Sequence, residues 1–216
     1  MSKKVLTYVS LAVGCLACLA AVFYLVNTIQ AATGAQWTDL EVKFIIYEAA
    51  YVLTFACATV LLALGGVRLI KNFLDKKDVN NSLFVLPMAT YFASVVIFSG
   101  LDLGFVALDN LRRWIYAMIG VSGLVLTLVS AFGKQDEKNS KLTALVATIV
   151  GFVLSVVELS AIGGASLVFI MFMFGCISAI YITYVFVEYN NAPKAEANEE
   201  KAIETKESND SEEKAE

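Results

Sequence analysis

FIIYEAAYVLTFACATVLLALGGVRLI, residues Phe44–Ile70, decides how this chain folds. At about 1.5 Å of rise per residue, the run is long enough as a helix to cross a hydrocarbon core of roughly 30 Å. One acid, Glu48, lies inside it, and Arg68 and Lys71 stand at its end. In water such a segment has no polar face to present. In lipid it is a spanning helix, because a helix satisfies its own backbone hydrogen bonds without water.

Five other stretches read the same way, so spans are expected at about 5–29, 44–70, 82–104, 114–132, 142–162 and 165–187. The expected fold class is therefore all-α: an integral membrane bundle of six helices in three hairpins over residues 1–189. The first span begins with a positive charge cluster, as a signal peptide does. Its apolar run exceeds the roughly 7–15 residues of a signal h-region, and it continues through Phe23, Tyr24 and Leu25 without a clear cleavage site. It reads as an uncleaved helix. Pro87, in the early turns of the third span, is tolerated there or introduces a modest kink. Residues 101–113 have apolar residues at Leu101, Phe105, Leu108 and Leu111. That spacing suits either an interfacial amphipathic helix or an extension of the third span. Gly163 and Gly164 mark a tight turn, which makes the fifth and sixth spans antiparallel neighbours.

Composition agrees with a membrane protein. Apolar residues make up 58% and charged residues 17% of the chain, against about 45–50% and about 25% in soluble domains. From Pro193 onward there are four lysines and nine acids, a net of −5, so with −4 overall the preceding residues sum to +1. Residues 190–216, rich in Glu, Lys, Ala, Asn and Ser, are expected to form a disordered acidic tail. The low charge balance thus belongs to the tail. It offers no argument for an acidic substrate, and the absence of a basic patch with interleaved aromatics argues against nucleic acid.

Lysine and arginine placement sets the expected orientation. With the N-terminus inside, the cytoplasmic side collects Lys3, Lys4, Arg68, Lys71, Lys76, Lys77, Lys134, Lys138 and Lys141, while the outer side holds Lys43, Arg112 and Arg113. Nine against three places both termini in the cytoplasm and the protein in the cell membrane. The Arg112–Arg113 pair is the one dissent, and Asp109 could partly neutralise it. Trp37, in the first outer loop, suits the membrane–water interface.

Histidine is absent, which removes histidine-based triads, HExxH zinc chemistry and imidazole haem ligation. No Walker A loop, GxSxG elbow, dinucleotide fingerprint or potassium-filter motif occurs, and no metal or cofactor site is expected. Cys15, Cys18, Cys57 and Cys176 all fall inside apolar runs. They read as small packing residues. The Cys15–Cys18 spacing resembles that of membrane thiol oxidoreductases, but the second, shuttling pair such chemistry needs is missing. Small residues four apart (Gly14 with Cys18, Gly100 with Gly104, Gly151 with Ser155, Gly175 with Ala179) mark expected helix–helix contacts. SVVIFSGLDLG in the third span loosely echoes LSVVELSAIGG in the fifth. No inverted repeat of the kind found in many transporters is visible.

An acid inside a membrane span is costly and is a functional hypothesis by default. Glu48 and Glu158 qualify, and Asp102 lies at a comparable level of the third span. Three carboxylates from three helices are therefore candidates for a cation or proton site in the outer leaflet. Arg112 and Arg113 are candidate charge partners, and Tyr47, Tyr51 and Ser160 candidate neutral ligands. The competing expectation is that each acid reaches the interface or pairs with Arg112, Arg113 or Lys43. Two functions follow. The first is a non-enzymatic structural, accessory or partner-binding membrane component, acting through its helices and tail on a membrane or cytoplasmic protein or on further copies of itself. The alternative is a small transporter or channel for a cation or a proton-coupled solute.

Overall fold

The computed structural model describes residues 3–34, 41–75, 81–105, 110–134, 136–159 and 167–187. These form six helices: α1 (Lys3–Gly34), α2 (Val42–Leu74), α3 (Asn81–Phe105), α4 (Leu111–Phe132), α5 (Glu137–Leu159) and α6 (Leu167–Val187). All six contain a segment long and apolar enough to cross a membrane. The chain is a multi-pass membrane protein built as a helical bundle. The 101–113 stretch divides between two helices: its first residues finish α3 and Leu111–Arg113 open α4. Asn110 caps α4, its side chain accepting a 3.4 Å hydrogen bond from the Arg113 amide. The expectations for Trp37, Asp109, Ser160, the Gly163–Gly164 turn and the 190–216 tail fall outside the described residues.

Threonine hydroxyls inside the spans bond within their own helix. Thr54 donates to the Ala50 carbonyl at 2.7 Å, Thr90 to Leu86 at 3.0 Å, Thr127 to Gly123 at 2.7 Å and Thr148 to Ala144 at 2.6 Å. Each bond runs back one turn, so the helix carries its polar side chains without asking anything of the lipid. Pro87 is buried within α3 and does not end it.

The helices pack as antiparallel pairs, α1 with α2, α3 with α4 and α5 with α6. In the first pair the backbones touch. A Cβ on Gly66 would lie 2.8 Å from the Gly14 carbonyl oxygen, and one on Gly14 would lie 2.9 Å from that of Gly66. Ser10 also donates across this seam to the Leu69 carbonyl at 2.9 Å. In the second pair Gly123 makes room for the Phe92 ring and Gly120 for Val96. Gly151 of α5 admits Met88 of α3, and Gly175 of α6 faces Ser155 of α5. Gly100 and Gly104 depart from the expected contacts. Both are exposed, and a Cβ on either would meet nothing within 4 Å, because their face of α3 turns away from the other helices.

Helix α3 is central. It packs on α1, α2, α4 and α5, and Tyr91 stacks on Phe174 of α6 with centroids 4.5 Å apart. Tyr24, Tyr91, Phe92 and Phe174 are fully buried around it. The outside of the bundle is apolar: Leu53, Val60 and Leu64 on α2, Met118 and Val125 on α4, and Val153 and Val156 on α5 are all exposed. A surface this apolar is unstable in water and matches lipid.

The two ends of the bundle differ. Arg68, Lys71, Lys134 and Lys141 lie where α2 and α4 finish and α5 begins, here called the lysine end. Lys43, Arg112 and Arg113 lie where α2 and α4 begin, the arginine end.

Candidate functional site

At the arginine end the helices part around a cavity of about 300 Å³. Every helix contributes to its wall. Tyr24 comes from α1, Tyr51 and Phe55 from α2, and Ser94, Phe98 and Ser99 from α3. Arg112, Arg113 and Tyr116 come from α4 with the cap residue Asn110, Glu158 from α5, and Leu167, Ile170 and Met171 from α6. The positions follow from helical periodicity. On α3, Ser94 and Phe98 are one turn apart, and Phe98 packs on Phe55 and Tyr51 with centroids 4.6 and 4.5 Å apart.

Glu158 is 6% exposed. The Tyr91 hydroxyl donates to its Oε2 at 3.1 Å. The Ser155 hydroxyl donates to the Gly151 carbonyl at 2.8 Å and lies 3.3 Å from the Tyr91 oxygen. A buried carboxylate needs such donors, and this one has its tyrosine on a different helix. Arg112 and Arg113 are close enough to act on Glu158 electrostatically. The direct ion pair of α4, however, goes elsewhere: Arg113 Nη2 meets Asp102 Oδ2 at 2.8 Å.

Asp102 stands behind the cavity wall rather than in it. Besides Arg113 it accepts a 2.8 Å hydrogen bond from the Tyr47 hydroxyl. Arg112 donates through Nε to the Tyr116 hydroxyl at 3.0 Å, with its guanidinium 5.3 Å from the centre of that ring. Among the described residues each arginine is thereby held through one nitrogen of its planar fork.

The three acids singled out from the sequence therefore sit in three different settings. Glu158 lines the cavity, Asp102 anchors Arg113, and Glu48 is half-buried on α2 outside the cavity lining. Of the neutral oxygens, Tyr51 lines the cavity and Tyr47 is bound to Asp102. Among the described residues no group of three or more acids or cysteines is placed to hold a metal ion. The four cysteines are unbridged, and Cys18 lies against Gly66 in the α1–α2 seam.

Sequence reasoning overlooked Tyr91, Tyr24 and Ser94 as site residues and read Ser155 only as a packing residue. Tyrosines inside apolar spans were the available signal, since a phenol buried in lipid needs a partner. Which helix supplies that partner is a tertiary fact. A second, very small space at the lysine end, lined by residues such as Met88, Thr127 and Tyr181, is almost wholly apolar. No protein-family model, curated protein or solved structure matches the chain.

Proposed function

We propose that this protein is a non-enzymatic, solute-binding component of the cell membrane, and that the arginine-end cavity is where the solute sits. The observation that carries the reading is a cavity of about 300 Å³, inside six apolar helices, lined by Glu158, Arg112 and Arg113. A charge buried inside a span, as Glu158 is, is expensive and is kept where it serves a function. A volume near 300 Å³ is at the small end of ligand sites, roughly 300–1,000 Å³. A purely structural or partner-docking role accounts for the apolar exterior but gives no reason to keep the cavity charged, since filling it with aliphatic side chains would be cheaper.

The lysine and arginine distribution supports placing the lysine end in the cytoplasm. The cavity then faces outward, suited to capture of a solute as the first step of sensing or uptake. A bare metal cation is disfavoured as that solute, because among the described residues Glu158 is the only carboxylate lining the cavity and two arginines line it too.

The test is a thermal-stability screen of the purified protein in lipid nanodiscs against small polar solutes. At least one solute is expected to raise the melting temperature of the wild type and fail to do so for Glu158→Gln. A wild-type protein that no small polar solute stabilises would return the reading to a structural component.

A further inference from the structure

Resting on the solute-binding reading, we infer that the cavity recognises a zwitterion: a small molecule carrying an organic ammonium group and an anionic group a few bonds apart. The wall carries charges of both signs. One region is the α4 start, where Asn110, Arg112 and Arg113 line the space. Tyr116 and Asp102 hold the two guanidinium groups there. Arginine forks of this kind bind carboxylate or phosphate in two-point fashion. The other region is Glu158, fixed by Tyr91, with the rings of Tyr24, Tyr51 and Phe55 also in the wall. A carboxylate beside aromatic rings suits an ammonium group, above all a quaternary one.

Elimination leads to the same class. A simple anion would meet two arginines but also the Glu158 carboxylate. A simple cation would meet Glu158 but also both guanidinium groups. A neutral solute would leave the buried Glu158 carboxylate, held by a single tyrosine hydroxyl, without an ionic partner. Only a ligand with both signs satisfies both regions. The internal alternative, Glu158 neutralised by direct contact with an arginine, is not what the helices do. Arg113 pairs with Asp102 instead. A free betaine-like or amino-acid-like solute and the headgroup of a zwitterionic lipid share this chemistry.

The experiment measures binding to the wild-type protein in nanodiscs of phosphatidylglycerol, a lipid without an ammonium group. The probes are glycine betaine and phosphocholine, with choline, acetate and inorganic phosphate as single-sign controls. At least one zwitterion is expected to bind ten-fold or more tighter than each control built from half of it. Charge-removing variants carry a signature that loss of folding cannot imitate. Glu158→Gln keeps an acceptor for Tyr91, so it should weaken the zwitterion at least ten-fold while strengthening acetate or phosphate. Arg112→Gln should weaken the zwitterion and strengthen choline. Choline, acetate or phosphate binding as tightly as the zwitterions would overturn the inference and leave solute binding intact. Zwitterions that fail to bind, while another solute from the screen does, would do the same. Failure of every solute would remove both readings together. Repeating the titration in phosphatidylcholine nanodiscs separates the sources. Unchanged affinity supports a free solute, and affinity lowered in proportion to the headgroup supports a lipid.

Discussion

Asp102 shows how much one side chain at the arginine end is asked to do. Its carboxylate, with a side-chain exposure of 11%, receives Arg113 at 2.8 Å and the Tyr47 hydroxyl at 2.8 Å. Replacing Asp102 with Asn removes the charge that holds Arg113, and a loss of about 2 kcal/mol is expected for a partly exposed pair of this kind. Tyr47→Phe removes one hydrogen bond and should cost about 1 kcal/mol. Because the two changes act on one cluster, the double variant should fall short of the sum by about 0.5 kcal/mol or more. Unfolding titrations in mixed micelles measure all three, and strictly additive losses would show that the contact carries no energy. Glu48 provides the contrast. It lies outside the cavity lining, so Glu48→Gln is expected to leave ligand affinity within about twofold. The presence of acids inside the spans near the arginine end was legible from hydropathy alone, because a charge stands out in an apolar run. Their division of labour was not, since it depends on which tyrosine or arginine a neighbouring helix brings alongside.

Among the helices, the α1–α2 seam makes the sharpest demand. Its two backbones meet at Gly14 and Gly66, and a Cβ on Gly66 would lie 2.5 Å from Cys18 Sγ as well as 2.8 Å from the Gly14 carbonyl oxygen. Backbone cannot yield as a side-chain tip can, so Gly66→Leu should destabilise by about 1–3 kcal/mol or more, read as a lowered melting temperature in detergent. Gly104→Ala should be neutral or stabilising by up to about 1 kcal/mol, since it gains helix propensity and meets nothing within 4 Å. A clear destabilisation there would reveal a partner covering that face. The existence and type of the helices could be read directly, because long uninterrupted apolar runs admit only one secondary structure in lipid. Contact glycines could not be sorted from exposed ones. Gly100–Gly104 and Gly14–Cys18 share the same spacing, and only the rotation of each helix within the bundle separates a packed face from a bare one.

For the whole molecule, helices α1 to α6 run alternately between the two ends, so that each hairpin returns to the lysine end, and all six line a cavity at the arginine end. The apolar outside and charged cavity give the bundle the inverse of a soluble protein's pattern, which is what a bilayer solvent requires. Counting turns from the helix ends puts Glu48, Glu158 and Asp102 at comparable depth, and the Arg112–Arg113 pair is visible as the exception to the lysine bias. No feature of a single sequence reports an empty volume, which exists only where six side-chain surfaces fail to meet. The most direct test is therefore aqueous access. With the four native cysteines replaced by alanine, cysteine is introduced at Ser99 in the cavity wall, at Val125 on the apolar outside and at Asn110 at the mouth. Sealed right-side-out vesicles are then treated with a small, membrane-impermeant, charged methanethiosulfonate. The account predicts that Ser99→Cys reacts from outside at least ten-fold faster than Val125→Cys. An unreactive Ser99→Cys alongside a reactive Asn110→Cys would contradict it.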